Sequence, residues 1–377
     1  MEPNEIGLES KITPEMIQGL MEDKGKEIPN KWGWNEEATR DTIRHFVDAI
    51  GDTNPLWRDE EYAAKTTLKA LLAPPTFLLS VAMAPRMGMP GIHSLHAGTH
   101  FYFYEPIKLF DRFRVTGGIH DLEIKEKSNW TGKSVVETLF TNYWHYDGRL
   151  MAKALHTIIR GERKAAASNK KYADIKIEPI SEETLQKVWQ AMDMEDTNRL
   201  GAQLRYWEEV NIGEELTPVV RGPLSISDMV AWKMGWGNHA PHHMWCDKMR
   251  YLANKRHPGA PVRNELNVPD APERVHVDRN LPLTLGFPSF YDYGPNRIAW
   301  LGQVLTNWMG DDGFIEELQC QTRVPNFEGD IQWCRGVVTG KHIKDNKHVV
   351  EINLSAESQR GVTTMPGTAV IRLPSKG

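Results

Sequence analysis

The chain contains 377 residues, with 45 Lys and Arg against 50 Asp and Glu, and only 3 Cys. This length suits about two domains and excludes a small disulfide scaffold, and an odd number of cysteines without C-x-x-C spacing favours a reducing, intracellular setting. The slight acidic excess gives no electrostatic reason to expect nucleic acid or an anionic membrane as a partner. No segment has the pattern of a signal peptide or a membrane span, so we expect a cytoplasmic protein.

The first half of the chain predicts one helix followed by long strands. Residues 38–50 carry apolar side chains at helical spacing, and Thr39 or Asp41 can cap this helix. Its apolar face comprises Ile43, Phe46, Val47 and Ile50. Residues 134–144 are rich in β-branched and aromatic side chains, and residues 154–159 form an apolar run, which is typical of antiparallel strands.

A connecting segment follows the first set of strands. Residues 163–171 are polar and rich in Ala and Lys, which is typical of a linker. A capped helix is predicted over residues 181–194. Its apolar face comprises Leu185, Val188, Trp189 and Met192.

The second half repeats the order of helix and strands. Ser225 or Ser227 can cap a predicted helix that ends at Trp236, and residues 348–354 and 369–371 are strand-like. Between helix and strands lies an insertion, residues 237–274, which the first half lacks. It is rich in Pro and His and long for a loop without structure, which favours a functional role.

Internal similarity indicates that one unit occurs twice. Residues 106–111 match residues 325–330 in their Pro and Asp positions, and the glycine that follows, Gly117 or Gly336, falls at the same distance in both. One long helix against several strands, occurring twice, predicts an α+β fold of two related domains. We assign the domains to residues 1–162 and 205–377, joined by a linker with its helix at 163–204.

Residues 51–63, directly after the first helix, carry a longer motif. They resemble the signature Asp-x-Asn-Pro-Leu-His-x-Asp of the MaoC-like (R)-specific enoyl-CoA hydratases, which have hotdog folds. Residues 74–77 and 96–98 are similar to the fatty-acid-synthase-type dehydratase version of that family. The resemblance covers nearly the whole chain and implies a double hotdog, two sheets joined around two long helices.

Hydration of a 2-enoyl thioester needs a group that activates water and returns a proton. In the first unit Trp57 stands where the family has histidine, while Asp52 and Asn54 remain. An indole cannot accept a proton, so we interpret the first unit as catalytically degenerate, with Trp57 shaping the substrate pocket. Asp52 can equally be a turn residue that binds local amides.

The second unit keeps the imidazole. His276 aligns with Trp57, and residues 286–290 align with residues 73–77. Counting along the helices places Asn238 at the position of the family's aspartate. The resemblance implies that His276 and Asn238 are catalytic and that the N–H of Gly294 stabilises the enolate oxygen. The residues expected to contact substrate are Gly294, Tyr293, Ser289 and Trp57.

Asn238 is not a general base, which leaves the second acid–base group open. His276 can act alone, a carboxylate of the insertion (Asp270 or Glu273) can take over, or His239 can join the site. His239 with the nearby His242 and His243 could also bind a metal, but Pro241 breaks helical spacing there. We therefore favour a loop without metal.

The predicted activity is reversible hydration of a 2-enoyl-CoA, or dehydration of a 3-hydroxyacyl-CoA, without metal or redox cofactor. The 13 Trp favour a bulky or aromatic acyl group. A hotdog thioesterase using Asp228 or Asp52 is the alternative enzyme, and an acyl-CoA-binding subunit without activity is the alternative outside enzymes. The sequence predicts neither a nucleic-acid nor a membrane partner, and it leaves a homodimer open.

Overall fold

The computed structural model describes residues 11–30, 33–83, 89, 92–128, 132–162, 172, 174–237, 246–256, 262–264 and 266–377. Nine α-helices are present in that part of the chain: α1 Pro14–Asp23, α2 Arg40–Ile50, α3 Glu60–Ala63, α4 Leu78–Val81, α5 Glu182–Asn198, α6 Ile226–Trp236, α7 Asp247–Arg256, α8 Leu281–Thr284 and α9 Gly294–Met309. Short 3-10 helices cover Pro55–Trp57, Pro75–Phe77, Trp207–Glu209 and Pro272–His276.

The strands of the first unit are β1 Ile28–Pro29, β2 Leu72–Ala73, β3 His93–Phe103, β4 Ile107–Lys108, β5 Phe113–Ser128, β6 Gly132–His145 and β7 Leu150–Gly161. The following strands are β8 Glu215–Arg221, β9 Val262–Arg263, β10 Pro269–Asp270, β11 Phe314–Gln321, β12 Gln332–Lys344, β13 Lys347–Ser358 and β14 Thr363–Arg372. The long strands predicted from sequence are therefore present, as β6, β7, β13 and β14.

Ten strands form one continuous antiparallel sheet in the order β1-β5-β6-β7-β3-β11-β14-β13-β12-β8. The order reads the same from both edges when each strand is replaced by its counterpart in the other unit. Strands β3 and β11 pair at the centre and join the two halves. The sheet topology therefore follows the duplication that the sequence predicted.

A pseudo-twofold axis passes between the units. His100 in β3 pairs directly with Gln319 in β11, and these two residues occupy equivalent places in their strands. Phe46 and Trp232 lie equally far from the N-caps of α2 and α6, and their ring centroids are 6.1 Å apart. Contacts between equivalent residues mark the axis of an isologous interface.

The two paired helices begin alike. Thr39 caps α2 and Ser225 caps α6, each through a capping box with the side chain three residues later. The four apolar residues predicted for the face of α2 are all buried. In the connecting helix α5, Val188 is buried as predicted, but Trp189 is 46% exposed because only one narrow stripe of α5 packs against the second unit.

Helices α2 and α6 cross at a glycine. A Cβ added to Gly235 would lie 2.3 Å from the carbonyl oxygen of His45 and 2.5 Å from Cβ of Ala49. A side chain at this position would force the two helices, and with them the two units, apart.

We therefore expect Gly235→Val to lower the free energy of unfolding by about 1–3 kcal/mol through overpacking. Gly19→Ala in α1 is the matched control, because an added Cβ there meets nothing within 4 Å. That control should be neutral or stabilising, by up to about 1 kcal/mol. Urea denaturation of the three proteins measures both changes, and equal stability of wild type and Gly235→Val would contradict the close crossing.

A third long helix, α9, lies between the sheet and the crossing pair. Every residue of α9 from Pro295 to Met309 is buried. The sequence pattern did not predict this helix, because a helix buried on all sides lacks a polar face and a clear 3.6-residue period. Its counterpart α4 ends at Val81, four residues before Pro85, whose ring would clash with the Val81 carbonyl in a continued helix.

No helix in the described ranges is long and apolar enough to span a bilayer.

Candidate functional site

The structure gives a residue-by-residue correspondence between the two units. Leu72 pairs with Lys108 in the first unit, and Tyr291 pairs with Phe327 in the second. The offset in residue number is the same for both pairs, and it is also the offset between Trp57 and His276. This constant offset needs no gaps, and it therefore replaces the alignment of residues 286–290 with residues 73–77.

This correspondence changes the counterpart of Gly294. Pro75, the first residue of the helical segment of the first unit, is equivalent to Gly294, the first residue of α9. Proline has no backbone N–H. The first unit therefore lacks the amide donor as well as the imidazole.

The polar groups of the first unit's motif form hydrogen bonds with one another. Asp52 is fully buried, and its carboxylate accepts hydrogen bonds from Trp57 Nε1 at 2.9 Å and from the Asn54 amide at 3.0 Å. Burial raises the pKa of the Asp52 carboxyl, and these two hydrogen bonds offset part of that rise. Asp52 thus binds local groups, and Trp57 occupies the side on which an acid–base partner would stand.

Trp57 also lines a pocket of about 580 Å³, measured with its open mouth. The pocket is largely apolar, and its walls include Pro75, Phe103 and Ile315. By the same offset, the counterparts of these four residues are His276 for Trp57, Gly294 for Pro75, Thr322 for Phe103 and, from the first unit, His96 for Ile315. The place around His276 thus has polar side chains at three of these positions and a glycine at the fourth.

His276 ends the 3-10 helix Pro272–His276 and is held on two sides. Its Nδ1 lies 2.7 Å from the carbonyl oxygen of Tyr291, and its ring stacks on Tyr293 with a centroid distance of 3.8 Å. A carbonyl only accepts hydrogen bonds, so Nδ1 carries the proton of the neutral imidazole and Nε2 carries the lone pair.

Gly294 opens α9 and directly follows Tyr293, on which this imidazole stacks. Its N-cap residue Tyr293 makes no side-chain capping bond, so no such bond blocks the first amides of the helix. A Cβ at Gly294 would lie 3.0 Å from Thr322 Oγ1 and 3.1 Å from Nδ1 of His96. Strand β3 and the residue that follows β11 thus bring side chains from both units to the start of α9.

The loop before α9 is fixed by a buried ion pair. Asp292 and Arg297 are both almost fully buried, and Arg297 Nε lies 2.7 Å from Asp292 Oδ2. Asp292 also accepts a hydrogen bond from the Asn326 amide at 3.0 Å. These bonds hold the start of α9 against the segment that leads into β12.

Tyr293 is anchored by a second buried pair. Its hydroxyl forms a hydrogen bond with Glu273, which also pairs with Lys233, and the side chains of Lys233 and Glu273 are 2% and 7% exposed. Burial, followed by the nearby Glu273 charge, raises the pKa of the Tyr293 phenol well above its usual value. The phenol is thus a neutral donor, and Glu273 is engaged with it and with Lys233.

The remaining predicted residues fall elsewhere or outside the described ranges. Ser289 is buried and donates to Glu328 at 2.9 Å, and Asp228 belongs to the capping box of α6. Asp270 accepts from the amide of Ala271. Asn238 and His239, with His242 and His243, lie outside the residues that the structure describes.

No three His, Cys, Asp or Glu side chains come together as metal ligands among the residues that the structure describes.

A hydrogen-bonded chain runs from His96 into the interior of the first unit. His96 Nε2 lies 2.8 Å from Thr99 Oγ1, which lies 2.9 Å from His156 Nδ1. His156 is 1% exposed, and its burial lowers the pKa of the imidazole to about 3. His156 is therefore neutral in the folded protein at neutral pH.

We expect His156 to make the protein sensitive to acid. Between pH 6.5 and 3 the unfolded chain binds a proton at His156 and the folded chain does not, so stability falls as the pH falls through this window. The slope from this group is at most about 1.4 kcal/mol per pH unit. Urea denaturation at pH 6 and pH 5 should show a smaller pH effect in His156→Leu than in wild type or in His342→Ala, a surface control. Equal pH effects in all three proteins would contradict the buried neutral imidazole.

Comparisons with known proteins agree with this architecture. The sequence model of the FAS1-like dehydratase domain region matches residues 23–153. A solved MaoC-like dehydratase superposes with a TM-score of 0.63 at 14% identity, covering 94% of this chain and 99% of that one. A Mycobacterium tuberculosis protein described as a double hotdog gives a TM-score of 0.52 at 12% identity, over 93% and 96% of the two chains. The fold is thus a double hotdog.

The sequence relatives named below are UPF0336 proteins. A protein of Saccharopolyspora erythraea named UPF0336 is 30% identical over 109 residues, which cover 27% of this chain and 69% of the relative. A UPF0336 protein of Streptomyces avermitilis is 30% identical over 95 residues, 23% of this chain, and this chain spans 63% of its length. The chain belongs to the UPF0336 family, and its residues 23–153 match the FAS1-like dehydratase domain region. The predicted resemblance to a fatty-acid-synthase-type dehydratase and the predicted double-hotdog fold are thereby confirmed.

The sequence analysis included His96 in a family motif but did not assign it to the site, and it missed Thr322, although both lie beside Gly294. The signal was present in the constant offset, because extending the match of residues 106–117 with 325–336 back to Trp57 and His276 needs no gap. That extension pairs His96 with Ile315 and reveals a polar residue where the first unit's site has an apolar one.

Proposed function

We propose that the second unit catalyses the reversible hydration of a 2-enoyl-CoA, or the dehydration of a 3-hydroxyacyl-CoA. The observation that carries this proposal is that the two units have different residues at equivalent positions near the start of their helical segments. His276 and Gly294 stand where the first unit has Trp57 and Pro75. The chemistry requires a proton-transferring group and a donor to the thioester oxygen, and an imidazole with a fixed tautomer and a helix-start amide, joined through Tyr293, can supply both.

In the proposed reaction the thioester oxygen accepts a hydrogen bond from the Gly294 amide. The oxygen of water bonds to C3 while one water proton moves to His276 Nε2, and the π electrons shift onto the thioester oxygen. The proton then returns from the imidazolium to C2 and the carbonyl re-forms. His276 acts in both proton transfers, and its bond to Tyr291 keeps Nε2 as the basic nitrogen.

Asn238 remains part of this proposal as the residue that orients the water or the thioester, and it is not required to transfer a proton. Tyr293 is proposed to position the imidazole through the ring stack, since its hydroxyl is fixed by Glu273. The acyl group is proposed to be bulky or aromatic. This is supported by a cluster of aromatic rings next to His276, in which the centroid of the Trp236 ring lies 5.5 Å from that of Tyr293 and 5.4 Å from that of Trp232.

The thioesterase alternative receives no support from the carboxylates it would use. The Asp52 carboxylate is engaged in hydrogen bonds with Trp57 and Asn54, and the Asp228 carboxylate is engaged with Ser225 in the capping box of α6. Neither carboxylate is aimed at the start of α9.

The test is incubation of the full chain with crotonyl-CoA, a long-chain 2-enoyl-CoA and cinnamoyl-CoA. Loss of the conjugated enoyl absorbance, with formation of the 3-hydroxyacyl thioester, supports the proposal, and faster turnover of cinnamoyl-CoA supports the bulky acyl group. Release of free thiol without hydration would identify a thioesterase. Saturable binding without turnover of any of the three thioesters would identify an acyl-CoA-binding protein and overturn the proposed activity.

A further inference from the structure

The first unit contributes a side chain to the start of α9 that the mechanism above does not use. His96 lies in β3, just before the β-bulge between His96 and Gly98 in the pairing with β7. A bulge re-aims the neighbouring side chains. Here the imidazole faces the backbone of Gly294, with Nδ1 3.1 Å from the position that a Cβ of Gly294 would take.

The hydrogen-bonded chain behind His96 determines where its proton lies. His156 is buried and neutral, so only one of its two ring nitrogens carries a hydrogen. Its Nε2 is buried and has no hydrogen-bond partner among the residues that the structure describes. A buried N–H without a partner is rarer than an acceptor without one, so Nε2 carries the lone pair and Nδ1 carries the hydrogen.

The direction of the remaining hydrogen bonds follows. His156 Nδ1 donates to Thr99 Oγ1, whose hydroxyl hydrogen then points to the other neighbour, His96 Nε2. His96 Nε2 is therefore the acceptor. In the neutral imidazole the hydrogen of His96 then lies on Nδ1, the atom that faces Gly294.

We propose that His96, a residue of the first unit, acts as a catalytic residue in the site of the second unit. Its Nδ1–H and the Gly294 amide together bind the thioester oxygen as the enolate forms. This inference rests on the proposed hydration of an enoyl-CoA and adds a second donor to it. The donor comes from the other unit of the chain, so the site is complete only when both units are present. No proton leaves His96 during the step, because a neutral imidazole acts here as a hydrogen-bond donor only.

The exchange between equivalent positions supports this assignment. The counterpart of His96 is Ile315, which lines the apolar pocket of the first unit together with Pro75. Both donors proposed for the oxyanion are thus replaced in the unit that lacks the catalytic imidazole. Thr99 and His156 keep a buried hydrogen-bonded chain behind His96. A sheet that only packed apolar side chains would not need such a chain, since each buried polar group requires a partner.

The first experiment measures kinetics of the full chain. Removal of one oxyanion donor lowers kcat by about 10²–10³-fold, with little change in KM, because the bond strengthens only in the transition state. We expect this loss for His96→Leu and a smaller loss for His96→Asn, whose amide can replace the Nδ1–H donor. His100→Leu is the matched control, since His100 is the next histidine of β3 and binds Glu317 on the other face. A KM effect alone, or equal loss in the Leu and Asn variants, would overturn the assignment.

The second experiment needs no turnover. Polarisation of the thioester carbonyl shifts the absorption of bound cinnamoyl-CoA to longer wavelength, and we expect this shift in wild type and in His100→Leu. The shift should shrink in His96→Leu and in Thr99→Val, which breaks the chain behind the imidazole. A shift that depends on His96 without hydration would support the donor and overturn only the proposed activity. A shift that is absent, or unchanged in His96→Leu, would overturn the donor itself.

Discussion

Replacement of His276 by alanine is expected to lower kcat for enoyl-CoA hydration by about 10²–10⁴-fold, the usual contribution of a general acid–base group. The imidazole is the one group in the proposed mechanism that both takes the proton from water and returns it to C2. KM should change little, because His276 Nε2 contacts the water and not the CoA portion of the substrate. Steady-state kinetics with the best thioester of the panel measures both constants.

The His276→Asn variant separates chemistry from structure. The asparagine amide can keep the hydrogen bond to the Tyr291 carbonyl, which His276 makes through Nδ1, but it cannot replace the basic Nε2. We therefore expect His276→Asn to be as inactive as His276→Ala while its unfolding midpoint stays near that of wild type. Substantial hydration by His276→Asn would show that the histidine has a structural role and that another group transfers the proton.

The second large effect is expected for Gly294→Pro, which introduces into the second unit the residue that the first unit has at Pro75. Proline removes the amide donor and is tolerated at the first position of a helix. Tyr293 has φ −86° and ψ 122°, a conformation that a following proline accepts. Loss of one oxyanion donor is expected to lower kcat by about 10²–10³-fold.

Gly294→Ala is the matched control for that variant. It retains the amide and adds a single methyl group, which would lie 3.0 Å from Thr322 Oγ1 and 3.1 Å from His96 Nδ1. The neighbours must shift by a few tenths of an ångström, so a smaller loss than in Gly294→Pro is expected. Equal activity of wild type and the proline variant would exclude the Gly294 amide from the reaction.

Local features of the fold were predictable because they depend on neighbouring residues. The Thr39 cap of α2 and the Ser225 cap of α6 follow from short-range hydrogen bonds, and the long strands follow from runs of β-branched residues. Helix α9 was not predictable from periodicity, because Pro295 to Met309 are buried on all sides. The exposure of Trp189 likewise depends on how far α5 contacts the second unit.

The site was predictable only in part. The motif of residues 51–63 identified the family, and it located the imidazole at His276 and its loss at Trp57. The alignment of residues 286–290 with 73–77 depended on a short stretch of similar residue types. The pairing of Tyr291 with Phe327 gave a different equivalence between the two units. Strand pairing fixes equivalence more strictly than a short similar string, because a shift by one residue turns every side chain to the other face.

The sequence by itself determined that the chain contains one unit twice, and it determined which copy kept an imidazole. Both conclusions depend only on short motifs of neighbouring residues. Only the tertiary structure decided what surrounds that imidazole. His96 reaches Gly294 because β3 of the first unit pairs with β11 of the second across the pseudo-twofold axis. Such a contact joins residues far apart in the chain, and no local propensity encodes it.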